Sequence, residues 1–332
     1  MKNVLRRLTL AWLVLASVPA AFAVDIHQVE KELTTTGAVG WIHGASPSQG
    51  LYVFTYRNPQ NFFDYLEMSL VSFDPQIQRQ LSALNRHDQI RVHGKFLINP
   101  SPQKHIEIGS IELVKKFEST YASRPYEHEA KVPDELLGKT SAIFLVHAIG
   151  AEGHILVVEY KDTVLPIFVE RAEFTKNLFR NDVVQLSFVI QNYPGRPVHL
   201  NLNAADPAPV KVLDSVVARH GQPADVEGAL ILFPKSPEIL FNVFAVEQIM
   251  PQGLKRQYTL VNFDNPSTFA QIRAALQKAF DKYPGAYVNG RNKLVSTRIR
   301  VRAKGVFNEV DPNQANSQIL LNSLGSIQIL EK

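Results

Sequence analysis

The sequence predicts a mainly β protein made of three tandem five-stranded Greek-key barrels, each with a helix between its third and fourth strands. Three observations support this class. A strand pair recurs three times along the 332-residue chain. Short runs rich in β-branched and aromatic residues are separated by turn residues. Each unit also repeats the order strand, strand, strand, helix, strand, strand, and a repeat of this kind defines architecture before any chemistry is considered.

The recurring strand pair is clearest in its first and third copies. The three copies comprise residues 88–98 with 105–114, 182–190 with 213–217, and 298–307 with 318–330. The second strands of the outer copies nearly coincide, as Gly109-Ser-Ile-Glu-Leu-Val and Gly325-Ser-Ile-Gln-Ile-Leu. The middle copy is fainter, and its second strand comes late.

In the first unit, a capped helix separates the third strand from the fourth. Asp74 can cap this helix and Pro75 suits its first turn, while Ile77, Leu81 and Leu84 form one apolar stripe. The residues before Gly37 fit either one helical turn or a lead-in strand. The strands are predicted at 37–44, 51–56, 65–73, 88–98 and 105–114.

The second and third units fit the same order. In unit two, strands are predicted at 141–148, 154–160, 164–169 and 182–190, with a helix at 170–180 and a fifth strand at either 198–202 or 210–217. In unit three, strands are predicted at 228–233, 240–246, 258–263, 298–307 and 318–330, with a helix opening at 264–267 and an insertion at 286–295.

This order resembles the OB-fold, a five-stranded Greek-key barrel with a helix between strands three and four. More loosely, the chain is similar to secreted bacterial OB-fold proteins of the cell envelope. The resemblance implies binding of oligonucleotides or oligosaccharides, although a fold does not by itself imply a function. A single larger β-sandwich, or repeats of another small α+β unit, remain alternative architectures.

The N-terminus predicts export. Lys2, Arg6 and Arg7 precede an apolar run at 8–18, and Ala21-Phe-Ala23 supplies small residues for cleavage after Ala23. An uncleaved anchor is the alternative, but the run is shorter than the roughly 20 residues that span a bilayer. We therefore expect a periplasmic or extracellular protein with no transmembrane segment after cleavage. The predicted divisions are a signal peptide at 1–23, OB-like domains at 24–119, 134–218 and 225–332, and linkers at 120–133 and 219–224.

Composition limits the possible chemistry. The chain has no cysteine, which excludes disulfides, thiol catalysis and cysteine-ligated zinc. Its net charge is +4, but the signal peptide holds three of the 35 basic residues and none of the 31 acidic ones, so the mature chain carries +1. A globally basic, nucleic-acid-like balance is not supported.

A basic strand in unit three is the strongest local charge signal. Residues 24–224 carry 19 basic and 22 acidic residues, whereas residues 225–332 carry 13 basic and 9 acidic. Strand periodicity places alternate side chains on one face, where they could bind an anionic ligand. A solvated outer face is the alternative. The candidate ligand-binding residues are Arg291, Lys293, Arg298, Arg300, Arg302 and Lys304.

Aromatic residues of unit one are candidates for stacking on a ligand. These are Trp41, Tyr52, Phe54 and Tyr56, of which the last three share one face of their strand. The alternative is that this face belongs to the core, which is where aromatic side chains are most often found.

No catalytic or cofactor motif stands out. His43 and His147 end equivalent strands, and His93 and His105 flank another turn, but the sequence contains no metal-ligand spacing, and we predict no metal and no cofactor. We therefore predict a non-catalytic, periplasmic or secreted binding or scaffold protein. Its partner would be an envelope glycan, a lipid headgroup or a protein rather than nucleic acid. The alternatives are an exported single-stranded nucleic-acid-binding protein and a hydrolase of envelope polymers.

Overall fold

Three closed five-stranded barrels follow one another along the chain, which confirms the predicted fold class. The chain divides into two compact units, one with the first barrel and one with the second and third. The predicted signal peptide and Arg291 lie outside the described residues. The computed structural model describes residues 24–46, 51–59, 61, 64–98, 104–118, 121, 131–161, 163–193, 198–288, 293–309 and 316–331.

Barrel 1 has the strand order β1-β2-β3-β5-β4 and closes through antiparallel pairing of β1 with β4. The residues before β1 form a helix, which Asp25 caps and whose Val29 and Leu33 are fully buried in the barrel core. Asp74 caps the second helix by accepting a hydrogen bond from the Gln76 amide, as predicted. The elements are α1 (Ile26–Thr34), β1 (Ala38–Ser46), β2 (Leu51–Arg57), β3 (Tyr65–Val71), α2 (Pro75–Ser82), β4 (Gln89–Phe96) and β5 (His105–Lys115).

Barrel 2 closes through β10, which pairs in parallel with β8 and antiparallel with β9. The first of the two predicted fifth strands, 198–202, is therefore the barrel strand. The late partner at 213–217 was wrong, because β11 pairs only with the first half of β9 and extends the sheet. The strands are β6 (Ser141–Gly150), β7 (Ile155–Tyr160), β8 (Thr163–Phe168), β9 (Val183–Gln191), β10 (His199–Leu202) and β11 (Val210–Asp214).

The helix predicted at 170–180 was too long, because the structure has a single 3-10 turn there, Ala172–Phe174. Thr175 explains the early stop: its hydroxyl donates hydrogen bonds to the carbonyls of Gly153 and Ala172, and such local bonds compete with a helix. Asn181 then adopts a left-handed conformation, with φ of 70°, immediately before β9.

Barrel 3 has the ring order β12-β13-β14-β17-β16, closed by pairing of β12 with β16. The strand predicted at 318–330 is split by a 3-10 turn, Leu324–Ser326, so its second half pairs with β16 as a separate strand. The elements are β12 (Pro223–Phe233), β13 (Val243–Ile249), β14 (Lys255–Val261), α3 (Pro266–Lys282), β15 (Ala286–Tyr287), β16 (Leu294–Asn308), β17 (Gln318–Leu320) and β18 (Ile327–Glu331). No helix in the described part of the chain has the length and apolarity to cross a bilayer.

Barrels 2 and 3 meet through a buried ionic network. Arg256 is fully buried and donates from Nε and Nη2 to the carbonyl oxygen of Asn181, at 3.2 and 2.9 Å. Its Nη1 donates to Asp214 at 2.9 Å. Arg219 also pairs with Asp214 and donates to the Tyr258 hydroxyl at 2.8 Å. Hydrogen bonding of this kind satisfies a buried charge that would otherwise be destabilising.

Glu309 lies at the edge of this network and is only 6% exposed. Burial raises the pKa of Glu309 to about 7, although Ser317, Arg256 and Arg219 act to lower it. Its Oε1 has no hydrogen-bond partner among the described residues. Deprotonation therefore places a poorly solvated negative charge beside the barrel junction.

Replacing Glu309 should make stability less sensitive to pH. Because the folded-state pKa of about 7 exceeds the ordinary value of 4.5, the wild type should lose stability as pH rises between these values. Between pH 5 and pH 8, the unfolding free energy of the wild type should fall by on the order of 3 kcal/mol more than that of Glu309→Gln. Urea unfolding followed by far-ultraviolet circular dichroism measures this difference. The matched variant Glu331→Gln, at an exposed site, should show no such difference from the wild type; equal pH dependence of the wild type and Glu309→Gln would contradict the role given to Glu309.

Candidate functional site

The outer surface of the first three strands of barrel 1 combines aromatic and polar side chains. Side chains alternate across a strand, and Ile42 and Phe54 are fully buried in the core. Their neighbours in sequence consequently face outward. In OB-like barrels, this region of the sheet is the usual ligand-binding surface. We define the barrel-1 face as Trp41, His43, Thr55, Arg57, Tyr65 and Glu67.

Trp41 and Arg57 lie at the centre of this face. The Arg57 guanidinium is 4.5 Å from the centroid of the Trp41 ring, which is a cation–π distance. A pocket of about 310 Å³ opens beside them. Gly40 is among its lining residues, and a Cβ there would lie 2.2 Å from the Thr55 carbonyl oxygen and 2.6 Å from the core ring of Phe54, so packing inside the barrel requires glycine at this position. The pocket residues are Val39, Gly40, Trp41, Arg57, Asn58, Pro59 and Gln89.

The remaining members of the face add polar groups and an exposed ring. Thr55 is 2% exposed, and its hydroxyl has no hydrogen-bond partner among the described residues. Opposite it on β3, Glu67 lies 3.7 Å from His43. Tyr65 pairs with Arg57 across the strands and is 53% exposed. An unsatisfied buried hydroxyl is destabilising, but Thr55 is not among the residues that line the pocket, so it offers no group to a ligand there.

Three of the predicted stacking residues are core residues. Tyr52, Phe54 and Tyr56 belong to the core cluster of barrel 1, so their rings contact the interior and not a ligand. Burial, followed by the hydrogen bond that its hydroxyl donates to Glu32, raises the pKa of Tyr56 to about 12. Trp41 is also only 7% exposed, but it lies outside this core cluster and lines the pocket. Sequence reasoning missed Arg57, although the parity that turns Phe54 and Tyr56 inward turns Arg57 outward.

The basic strand of barrel 3 is β16, and its arginines share one face as predicted. Carboxylates of the neighbouring β12 neutralise two of them. Arg302 binds Asp225 through two hydrogen bonds of 2.7 Å each, and this lowers the pKa of Asp225. Arg300 lies 3.0 Å from Glu227.

The other described members of the predicted basic group are also engaged. Lys293 is 3% exposed and donates to Glu247 at 2.6 Å, inside the protein. Lys304 lies 3.8 Å from Asp225. Arg298 stacks over the Tyr283 ring at 5.3 Å. The hypothesis that this strand binds an anion therefore stays a prediction, and most of the positive charge it relies on is already compensated.

Barrel 2 carries a cleft of about 600 Å³ between the turn after β6 and the connection after β8. Glu152, Glu173, Lys176 and Arg180 lie among its walls. The pKa of Glu173 is lowered by its own backbone amide and by Arg171, which donates to it at 2.7 Å. A lowered pKa keeps Glu173 ionised, which does not suit a general acid. The hydrolase hypothesis stays untested.

The histidines considered from the sequence do not converge on a metal site. His147 lies 3.0 Å from the buried carboxylate of Glu159, and His43 lies near Glu67. Burial lowers the pKa of His105. Within the described ranges, no group of three or more potential metal ligands comes together.

Comparisons with known proteins identify no family. No family model and no curated protein matches the sequence. A structure of a murine DNA-binding protein bound to double-stranded DNA is 14% identical, with a TM-score of 0.19, and covers 54% of this chain and 99% of its own. A Drosophila Unr structure, CSD456, is 11% identical, with a TM-score of 0.15, and covers 90% of this chain and 98% of its own.

A multidomain protein with nucleic-acid-binding domains from Streptococcus pneumoniae is also similar. It is 11% identical, with a TM-score of 0.15, and covers 86% of this chain and 72% of its own. At scores this low, none of these matches supports a conclusion about ligand or activity.

Removing the carboxylates opposite the basic strand should expose its charge. In Asp225→Asn combined with Glu227→Gln, Arg300 and Arg302 lose their partners, and the surface should attract polyanions more strongly. We expect the double variant to elute from heparin at higher salt than the wild type. Asp264→Asn combined with Asp281→Asn is the control for net charge, because it removes the same number of carboxylates from exposed sites away from β16. Equal retention of both double variants would show that the strand offers no special anion site.

Proposed function

We propose that the protein is an exported, non-catalytic binding protein whose barrel-1 face takes an oligosaccharide chain of the cell envelope. The observation that carries this proposal is the pocket at Trp41 and Arg57, where the Arg57 guanidinium lies 4.5 Å from the centroid of the Trp41 ring. Export follows from the leader pattern at residues 1–23.

The chemistry of the pocket suits a hydroxyl-rich ligand. Asn58 and Gln89 supply amide groups that both donate and accept, and Arg57 supplies donors in a fixed plane. Trp41 is 7% exposed, and the part of its ring that opens onto the pocket gives a small apolar surface for a sugar ring. A mostly apolar pocket with a few convergent polar groups is typical of small-ligand sites.

Charge favours a ligand of low charge. Residues 24–118 carry 9 basic and 10 acidic residues, a net charge of −1. Binding to a phosphate backbone draws its affinity from several cations that release counterions. Barrel 1 has Arg57 at its pocket but no excess of cations, so a neutral or weakly charged glycan fits it better than nucleic acid.

Single-stranded nucleic acid is the second candidate, and one observation favours it. A ring with a guanidinium beside it, as at Trp41 and Arg57, is also what single-strand-binding surfaces present to bases. The two candidates differ in their response to salt. Sugar binding should change little, whereas nucleic-acid affinity should fall steeply with salt concentration.

Tryptophan fluorescence tests the proposal directly, because Trp41 is the single tryptophan from Val24 onward. Titration with chitohexaose, or with glycan strands prepared from peptidoglycan, should shift the Trp41 emission in a saturable way. Arg57→Ala should weaken binding at least about tenfold, which corresponds to about 1.4 kcal/mol. Arg79→Ala, at an exposed site on α2, is the matched control and should bind as the wild type does.

The same titration with oligo(dT) separates the candidates. If oligo(dT) saturates the Trp41 fluorescence change with a steep salt dependence and the glycans do not, the barrel-1 face binds nucleic acid and not a glycan. If neither class of probe changes the Trp41 fluorescence, the proposal that the barrel-1 face binds a ligand is wrong. Export is checked separately: protein recovered from the cell should begin at Val24, and recovery with Met1 in place would contradict it.

A further inference from the structure

Arg273 of barrel 3 is a positive charge that two phenyl rings hold in place and that pairs with no carboxylate among the described residues. Its guanidinium lies 4.7 Å from the centroid of the Phe241 ring and 4.9 Å from that of Phe269. Nε is buried and unsatisfied, and no hydrogen bond or ion pair joins Arg273 to another described residue. Stacking on two rings therefore orients the planar donor fork but leaves its hydrogen bonds unmade.

The loop between β12 and β13 is tied to α3 beside Arg273. Asn242 accepts a hydrogen bond from the Lys235 amide at 2.9 Å and donates one to Gln277 at 3.0 Å. Gln277 is one helical turn after Arg273, so these bonds hold the loop against the same side of the helix. The exposed Lys235 belongs to this loop, and it too has no ion pair among the described residues.

The loop that contains Lys235 also exposes two large apolar side chains. Leu240 is 56% exposed and Phe241 is 45% exposed. The sequence predicted a strand from residue 240, but β13 begins at Val243, which leaves both side chains in the loop. We define the barrel-3 patch as Lys235, Leu240, Phe241, Phe269 and Arg273.

We propose that the barrel-3 patch is a docking surface for a segment of a partner protein that carries a carboxylate next to an apolar side chain. Arg273 would bind the carboxylate through two parallel hydrogen bonds, which its planar fork favours. Leu240 and Phe241 would cover the apolar neighbour. Binding energy at protein interfaces concentrates on aromatic and arginine side chains of this kind.

The small number of cations in the barrel-3 patch favours a protein segment over a polyanion or an anionic membrane as the ligand. The patch offers two cations within an apolar frame, and Glu238 of the same loop adds a negative charge. A polyanion such as nucleic acid gains affinity from a longer run of cations than this. An anionic membrane likewise calls for a cluster of four to eight basic residues, in round terms.

Arginine Nε–H resonances of the full chain, labelled with ¹⁵N-arginine, test the proposal. The probes are the peptides acetyl-Glu-Phe-Leu-Glu-amide and its uncharged match acetyl-Gln-Phe-Leu-Gln-amide. The acidic peptide should shift the Arg273 signal, which loss of that signal in Arg273→Lys identifies, with a dissociation constant of about 1 mM or below. The uncharged peptide should bind at least about fivefold more weakly.

Variants separate recognition from general charge. In Arg273→Gln, the acidic peptide should no longer perturb the arginine signals that shift with Arg273 in the wild type. Lys278→Gln, which removes an exposed cation from the same helix, should bind as the wild type does. Equal shifts with both peptides, or a shift of Arg273 with phosphatidylglycerol vesicles but not with the acidic peptide, would overturn the proposal. The fluorescence response of Trp41 to glycans should be unchanged in Arg273→Gln, so the two proposals fail independently.

Discussion

Barrel closure is the constraint on which the rest of this structure depends. In each barrel, a short parallel ladder joins the third strand to the fifth: β3 with β5, β8 with β10, and β14 with β17. Each of these ladders spans only two or three residue pairs. Closure gives every barrel strand an inner face that contacts the core. Charged side chains and any ligand must therefore both lie on the outer face. Closure also removes most exposed strand edges.

Closure also determines which charges are available for binding. On β16, the arginines lie opposite carboxylates of β12 in the same ladder, and the pairs neutralise each other. Exposed pairs of this kind add little to stability, but they reduce the positive field of the strand. Arg273 lies on a helix and not in a strand ladder, so no neighbouring strand places a carboxylate opposite it. Candidate binding residues therefore lie at pockets and loop–helix contacts and not along the most basic strand.

Much of the fold could be predicted because each barrel repeats one pattern of strands and turns. The capped helix after Asp74 and the strands around it follow from local sequence signals. The fifth strand of barrel 2 remained ambiguous, since residues 198–202 and 210–217 have equal strand character and only pairing with β8 distinguishes them. The length of the helix at 170–180 was overestimated, because the hydrogen bond from the Thr175 hydroxyl to the Gly153 carbonyl joins segments that are distant in sequence.

The sequence alone determined which side chains share a face, because strand periodicity requires no knowledge of neighbours. It placed Arg298, Arg300 and Arg302 together, and likewise Tyr52, Phe54 and Tyr56. Only the tertiary structure decided which face lies inward and which charges meet, because both depend on the strand that pairs alongside. Trp41 and Arg57 became a candidate site through the contact of their side chains across β1 and β2, and Arg273 through the two phenyl rings that hold it.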